Sequence, residues 1–226
     1  MTKKIRKLKH SVKIILFSIL IIMIISGFNI IDSKLKNIDE SNKIVVTIDM
    51  GHGGKDQGTT NQSEDIIEKN ITLQIGEKLA KELENTGKVR VIKTRESDEY
   101  VGLKERTKIS KENNSKLFIS IHCNATPDKS YPTHGLETYY WENNKDSYKL
   151  AQSIQNSILS DLNINDRGVK KEKYQVLRES YCPSVLIETG FLTNPKDASN
   201  LSNNRYQKKL AKAISKGIQN YLDLDN

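Results

Sequence analysis

The chain has 226 residues, 36% of them apolar, and a formal net charge of +8. That length holds one domain of ordinary size plus a short appendage. The charge is local: Lys3, Lys4, Arg6, Lys7, Lys9 and Lys13 precede every acid, and from Asp32 onward 30 bases face 28 acids. No basic stripe with interleaved aromatics follows, which argues against DNA or RNA as a partner.

Residues 1–13 form the basic segment, expected on the cytoplasmic side. Residues 14–31 (IILFSILIIMIISGFNII) carry no charge over 18 positions, about the length of a bilayer-spanning helix. The cations before this stretch place whatever follows outside the cell. A cleaved signal peptide is the competing reading, but no small-x-small cleavage site follows the apolar core. An uncleaved signal-anchor is therefore expected, with secretion as the alternative. Residues 32–42 are polar and read as a linker, and 43–224 as the folded domain.

In that domain residues 43–49 (KIVVTID) are a β-branched run stopped by Gly51, the pattern of a buried strand. A helix is expected over 65–85, with Ile67, Ile71, Ile75 and Leu79 four apart, closed by Gly87. A strand follows at 89–93, a helix at 103–113 and a short apolar strand at 117–121. Residues 135–141 (GLETYYW) are strand-like, and Ala151, Ile154, Ile158 and Leu162 give helical spacing over 146–162. A buried strand at 184–187 precedes a last helix marked by Tyr206, Leu210, Ile214 and Ile218. Strands alternating with amphipathic helices predict an α/β three-layer sandwich, a largely parallel mixed sheet with helices on both faces. Cys123 and Cys182 each adjoin a strand and read as small buried residues rather than a bridge.

In such folds ligands gather at the carboxyl ends of the strands. Three polar residues stand there: His52 in D-M-G-H-G-G-K-D-Q-G, His122 in S-I-H-C-N-A, and Glu188 in L-I-E-T-G-F-L-T-N. Two histidines at strand ends, beside small residues, point to a metal, and catalytic zinc takes three protein ligands and leaves one position for water. His10 and His134 are poorly placed, so the third ligand should be a carboxylate. Glu68 shares a helix face with Ile71, Ile75 and Leu79, which aims it at the core, where an unpaired carboxylate is costly. The alternative is a glutamate complementing the helix dipole; Glu64 has similar phase but precedes the helix. Asp49 can accept an N–H from a metal-bound histidine or merely end its strand. Gly51, Gly53 and Gly54 are expected to let the chain turn tightly beside the metal. Arg106 and Asn124 are candidates for substrate contact, although an Arg on a helix is ordinarily just solvated. Tyr139 and Tyr140 read as core.

Together with I-E-K-N-I-T-L, these motifs resemble the zinc-dependent N-acetylmuramoyl-L-alanine amidases. The resemblance runs from about Ile44 to Tyr221. It implies one zinc ion per chain on His52, Glu68 and His122, with Glu188 as the catalytic residue. The implied reaction is hydrolysis of the amide between N-acetylmuramic acid and L-alanine, so the partners are peptidoglycan glycan strands and stem peptides, with an activator protein unknown. Met50 stands where the family commonly has proline, a change in the loop that touches no ligand. Small size, an anchor and the absence of wall-binding repeats resemble the spore-cortex, germination-specific branch. Two rivals from other classes are a zinc exopeptidase or deacylase on soluble peptides, which predicts a closed pocket, and an inactive peptidoglycan-binding protein. The inactive form is expected to lose one of the four key residues, and all four are present.

Overall fold

A computed structural model describes residues 42–127 and 132–224, together with Ser26. No helix among the described residues is long and apolar enough to cross a membrane. The span expected at residues 14–31, apart from Ser26, lies outside them.

Among the described residues, six strands build one mixed sheet: β1 Ile44–Met50, β2 Val89–Lys93, β3 Leu117–Asn124, β4 Leu136–Tyr140, β5 Asp166–Lys171 and β6 Ser184–Phe191. Their order is β2-β1-β3-β6-β4-β5. The first four of these run parallel, β4 is antiparallel to β6, and β5 is parallel to β4. The helices are α1 Glu68–Glu84, α2 Leu103–Glu112, α3 Lys145–Asp161, α4 Gln175–Arg178, α5 Pro195–Ser202 and α6 Asn204–Tyr221.

Alternation along the strands divides the interior. Val46, Ile48 and Met50 of β1, Leu117, Ile119 and Ile121 of β3, and Val185 and Ile187 of β6 join the larger core. Covering them are Ile71, Ile75 and Leu79 of α1, Ile154 and Ile158 of α3, and Leu210, Ile214 and Ile218 of α6. These are the residues whose four-residue spacing marks the helices in the sequence. Phe118 and Leu186 face the other way, into a small core with Val176 and Leu177 of α4. The result is a three-layer α/β fold with helices on both faces of the sheet.

The smaller side is where chemistry can sit. Register puts Asp49, Ser120, Leu186 and Tyr139 in one row across that face, and His122, Glu188 and Glu137 in the next. Successive residues of a strand point to opposite faces, so the polar residues of these rows lie away from the apolar core.

The expected helix over 65–85 begins three residues later. Its first amides are taken by the preceding loop: Glu68 N–H donates to the Thr59 carbonyl at 2.9 Å and Lys69 N–H to that of Gln57 at 3.2 Å. These loop carbonyls satisfy donors that a helix start leaves free. Three elements have no counterpart in the expected series: β5, α4 and α5. In β5 (DRGVKK) Val169 is the one apolar side chain, as suits an edge strand paired with β4 alone. Cys123 and Cys182 are both buried and free, as two small interior residues rather than a bridge.

Candidate active site

His52 leaves β1 through Gly51 with a positive φ of 62°, a conformation that costs energy for a side chain bearing Cβ. The turn beyond it is closed by reciprocal backbone bonds between Gly53 and Asp56. Asp56 Oδ1 then accepts from His52 Nδ1 at 2.9 Å and from Gly58 N–H at 3.2 Å. The other ring nitrogen, Nε2, lies 3.1 Å from Glu68 Oε1.

Glu68 opens α1 and is buried. Its Oε1 stands 3.0 Å from His122 Nδ1 and accepts the Cys123 N–H at 2.9 Å, while Oε2 accepts the Thr59 N–H at 2.8 Å. Burial pushes its pKa up, but the hydrogen bonds and charges of His122 and His52 outweigh that and hold it at about 2. His52 is the mirror case: burial disfavours the charged ring, yet Glu68 and Asp56 raise its pKa. One carboxylate oxygen thus sits between two imidazole nitrogens, and the donor atoms of the three residues lie within 4.8 Å of one another. Two imidazoles, one carboxylate and a carboxylate behind the first imidazole are a donor set that fits catalytic zinc.

Two glycines make this convergence possible. A Cβ on Gly51 would stand 2.4 Å from the His122 ring, and one on Gly58 (φ +68°) would stand 2.5 Å from Glu68 Oε2. Gly53 and Gly54 instead pack against Glu99 and Tyr100, so of the three glycines named from the sequence only Gly51 borders the histidines.

Glu188 occupies the row of His122 and is 8% exposed. Its Oε2 is buried and has no hydrogen-bond partner among the described residues. Burial, then the charges of Glu68 and Glu137, push its pKa well above the ordinary carboxylate range. A buried carboxyl group left unpaired demands a reason, and a cleft gives one. His52, His122, Glu188, Arg106 and Tyr174 line a cavity of about 450 Å³. A larger groove of about 620 Å³, lined by Ile66, Leu192, Pro195 and Ala198 among others, contains none of these residues.

The structure revises four sequence readings. Asp49 neither binds a histidine nor merely ends its strand: Oδ1 accepts from Thr94 Oγ1 at 2.8 Å and Arg106 Nη1 at 2.7 Å, and Oδ2 from Ser120 Oγ at 2.6 Å. Arg106 is 3% exposed and far from solvated; it also donates to the carbonyls of Met50 and His52. Asn124 spends its side chain on Glu137 Oε2 and the Ala125 N–H. Tyr140 is core, whereas the Tyr139 hydroxyl donates to Glu137 at 2.7 Å.

Residues 46–220 match the family model described as N-acetylmuramoyl-L-alanine amidase. The chain belongs to that family. The germination-specific amidase of Bacillus subtilis (strain 168) is 32% identical over 232 residues, covering 96% of this chain and 95% of that one. An amidase crystal structure from Clostridium difficile 630 superposes with a TM-score of 0.79 at 38% identity, over 82% of this chain and 100% of the other. The CwlD amidase of Clostridioides difficile, solved with the GerS lipoprotein, gives 0.73 at 34% identity, over 81% and 100%. The amidase fold and its substrate bond, between N-acetylmuramic acid and L-alanine in peptidoglycan, therefore come with the family. Sequence reasoning missed Asp56 and Gly58 although both stand in the first motif, Asp56 four residues after His52. It missed Glu137, whose G-L-E-T-Y-Y context reads as an ordinary strand.

Proposed function

We propose that this amidase works with one zinc ion held by His52, Glu68 and His122, and that Glu188 carries the proton. The observation that carries the reading is the unpaired Oε2 of Glu188, on the same sheet row as His122. When bound there, zinc supplies a Lewis acid that acidifies water and polarises a carbonyl. Glu188, kept out of water, takes the proton from the attacking water and returns it to the leaving alanine nitrogen. Glu68 keeps its charge through its hydrogen bonds, and Asp56 holds His52 in one tautomer.

The near full-length similarity to a germination-specific amidase supports a role in the spore cortex or wall. The relative solved with GerS supports a protein partner. An uncleaved anchor at residues 14–31 would hold the domain outside the cytoplasm. The test is to incubate the protein with zinc and purified peptidoglycan, with and without chelator, and identify products by mass spectrometry. Stem peptides with free L-alanine N-termini, released only when zinc is present, are expected. Activity that survives thorough chelation would reject the metal reading.

A further inference from the structure

Next to Glu188 on the antiparallel strand stands Glu137, its register partner. Glu137 is 2% exposed and accepts four donors. Oε2 takes Asn124 Nδ2 at 2.8 Å and the Tyr139 hydroxyl at 2.7 Å. Oε1 takes Arg167 Nε at 2.6 Å and Lys170 Nζ at 2.5 Å. One buried carboxylate needs one cation to offset its charge, and two are present. No other carboxylate pairs with Arg167 or Lys170 among the described residues. The cluster therefore carries a surplus of one positive charge.

Both cations also keep an open side. Arg167 and Lys170 side chains are 31% and 38% exposed. The Arg167 guanidinium lies 5.0 Å from the centroid of the Phe191 ring, and only its Nε is engaged in a hydrogen bond among the described residues. A guanidinium fixed at Nε and laid on a ring presents its terminal N–H groups as a fork, the geometry that takes a carboxylate bidentately. Neighbouring strands are about 4.8 Å apart, so the pair lies on the order of 5–10 Å from Glu188, on the side away from His122.

We propose that Arg167 and Lys170, seated by Glu137, are the subsite for the free carboxylate of the stem peptide, on the residue that follows L-alanine. This rests on the amidase reading above. In peptidoglycan that residue is a D-glutamyl unit whose α-carboxyl is either free or amidated. An extended residue covers about 3.3–3.6 Å, which brings this carboxylate within reach of the pair when the scissile nitrogen is at Glu188. The amidated form offers the fork a neutral group and loses a charge-assisted bond.

The experiment uses the zinc-loaded full chain and two sets of solubilised glycan strands, identical except that this carboxyl is free or amidated. Wild type should prefer the free acid by about tenfold in kcat/KM, the size of one charge-assisted hydrogen bond, with the difference in KM. Arg167→Gln and, separately, Lys170→Gln should bring that ratio toward one, and thermal melts should show both folded. Equal rates on the two strands in wild type would overturn the subsite. So would variants whose rates fall while the ratio stays at its wild-type value. If neither strand is cut by wild type, it is the amidase reading that fails, and the subsite with it.

Discussion

At the scale of single residues, binding and chemistry should come apart at Glu188. Glu188→Gln keeps the shape of the side chain and removes its basicity. The variant should fold and hold close to one zinc per chain by metal analysis, with turnover lower by roughly 10²–10⁴. Near-normal turnover would remove Glu188 from the mechanism, and lost zinc would make it a ligand. Gly51 tests the other half. Gly51→Ala puts a methyl group into the space of the His122 ring, so zinc affinity measured by calorimetry should fall roughly 10–100-fold, as when a ligand's supports are disturbed. Glu64→Ala should leave zinc content unchanged. Glu64 lies in the loop before α1, and the three clustered donors come from His52, Glu68 and His122. These three donors were legible because each is a polar residue at a strand end or on an apolar helix stripe. Asp56 was not, because a loop aspartate has no periodicity to betray what it touches.

At the scale of elements, α2 is the instructive case. Its buried residues are Arg106, Thr107 and Ser110, all polar, while Leu103 is half exposed. Periodicity identifies a helix by its apolar stripe, so a helix that docks with a polar one gives no warning that its arginine is inside. The pair it forms with Asp49 is fully buried, and removing one partner strands the other charge. Arg106→Ala should therefore cost about 3–5 kcal/mol in urea unfolding. Asp49 also fixes the pH response. Burial opposes its charge, but Arg106 and Ser120 outweigh burial and hold its pKa below the ordinary 3.8. A carboxylate lowered in the folded state adds stability above its ordinary pKa and loses it as pH falls through the folded value. The gap between wild type and Asp49→Asn should thus be flat from neutral pH down to about pH 4 and close below it. A gap that persists unchanged to pH 2 would contradict the assignment. β5 escaped the sequence for a related reason: an edge strand with one apolar side chain has nothing to alternate.

For the molecule as a whole, the α/β layering and the parallel centre of the sheet followed from strands and helices in alternation. The reversal of β4 did not, since strand direction depends on which neighbour a strand finds rather than on its own residues. If residues 14–31 anchor the protein, protease added to intact protoplasts should degrade the domain and spare cytosolic markers. Full protection would reverse the topology.

One junction ties the two ends of the folded domain together. The Ile44 N–H donates to the Lys88 carbonyl at 2.9 Å, and Lys88 Nζ reaches the Leu224 carbonyl. The chain thus enters β1 and leaves α6 at one place, seven strand residues before the turn that carries His52. Those residues span about 23 Å at the usual rise. Ends that meet far from the cleft can be sewn together and the chain reopened elsewhere. A circular permutant with Leu224 joined to Ile44 by a short glycine linker, cut in the exposed turn at Thr86–Gly87, should fold and cleave peptidoglycan. Cutting instead between Gly53 and Asp56 should abolish hydrolysis, because that turn seats His52.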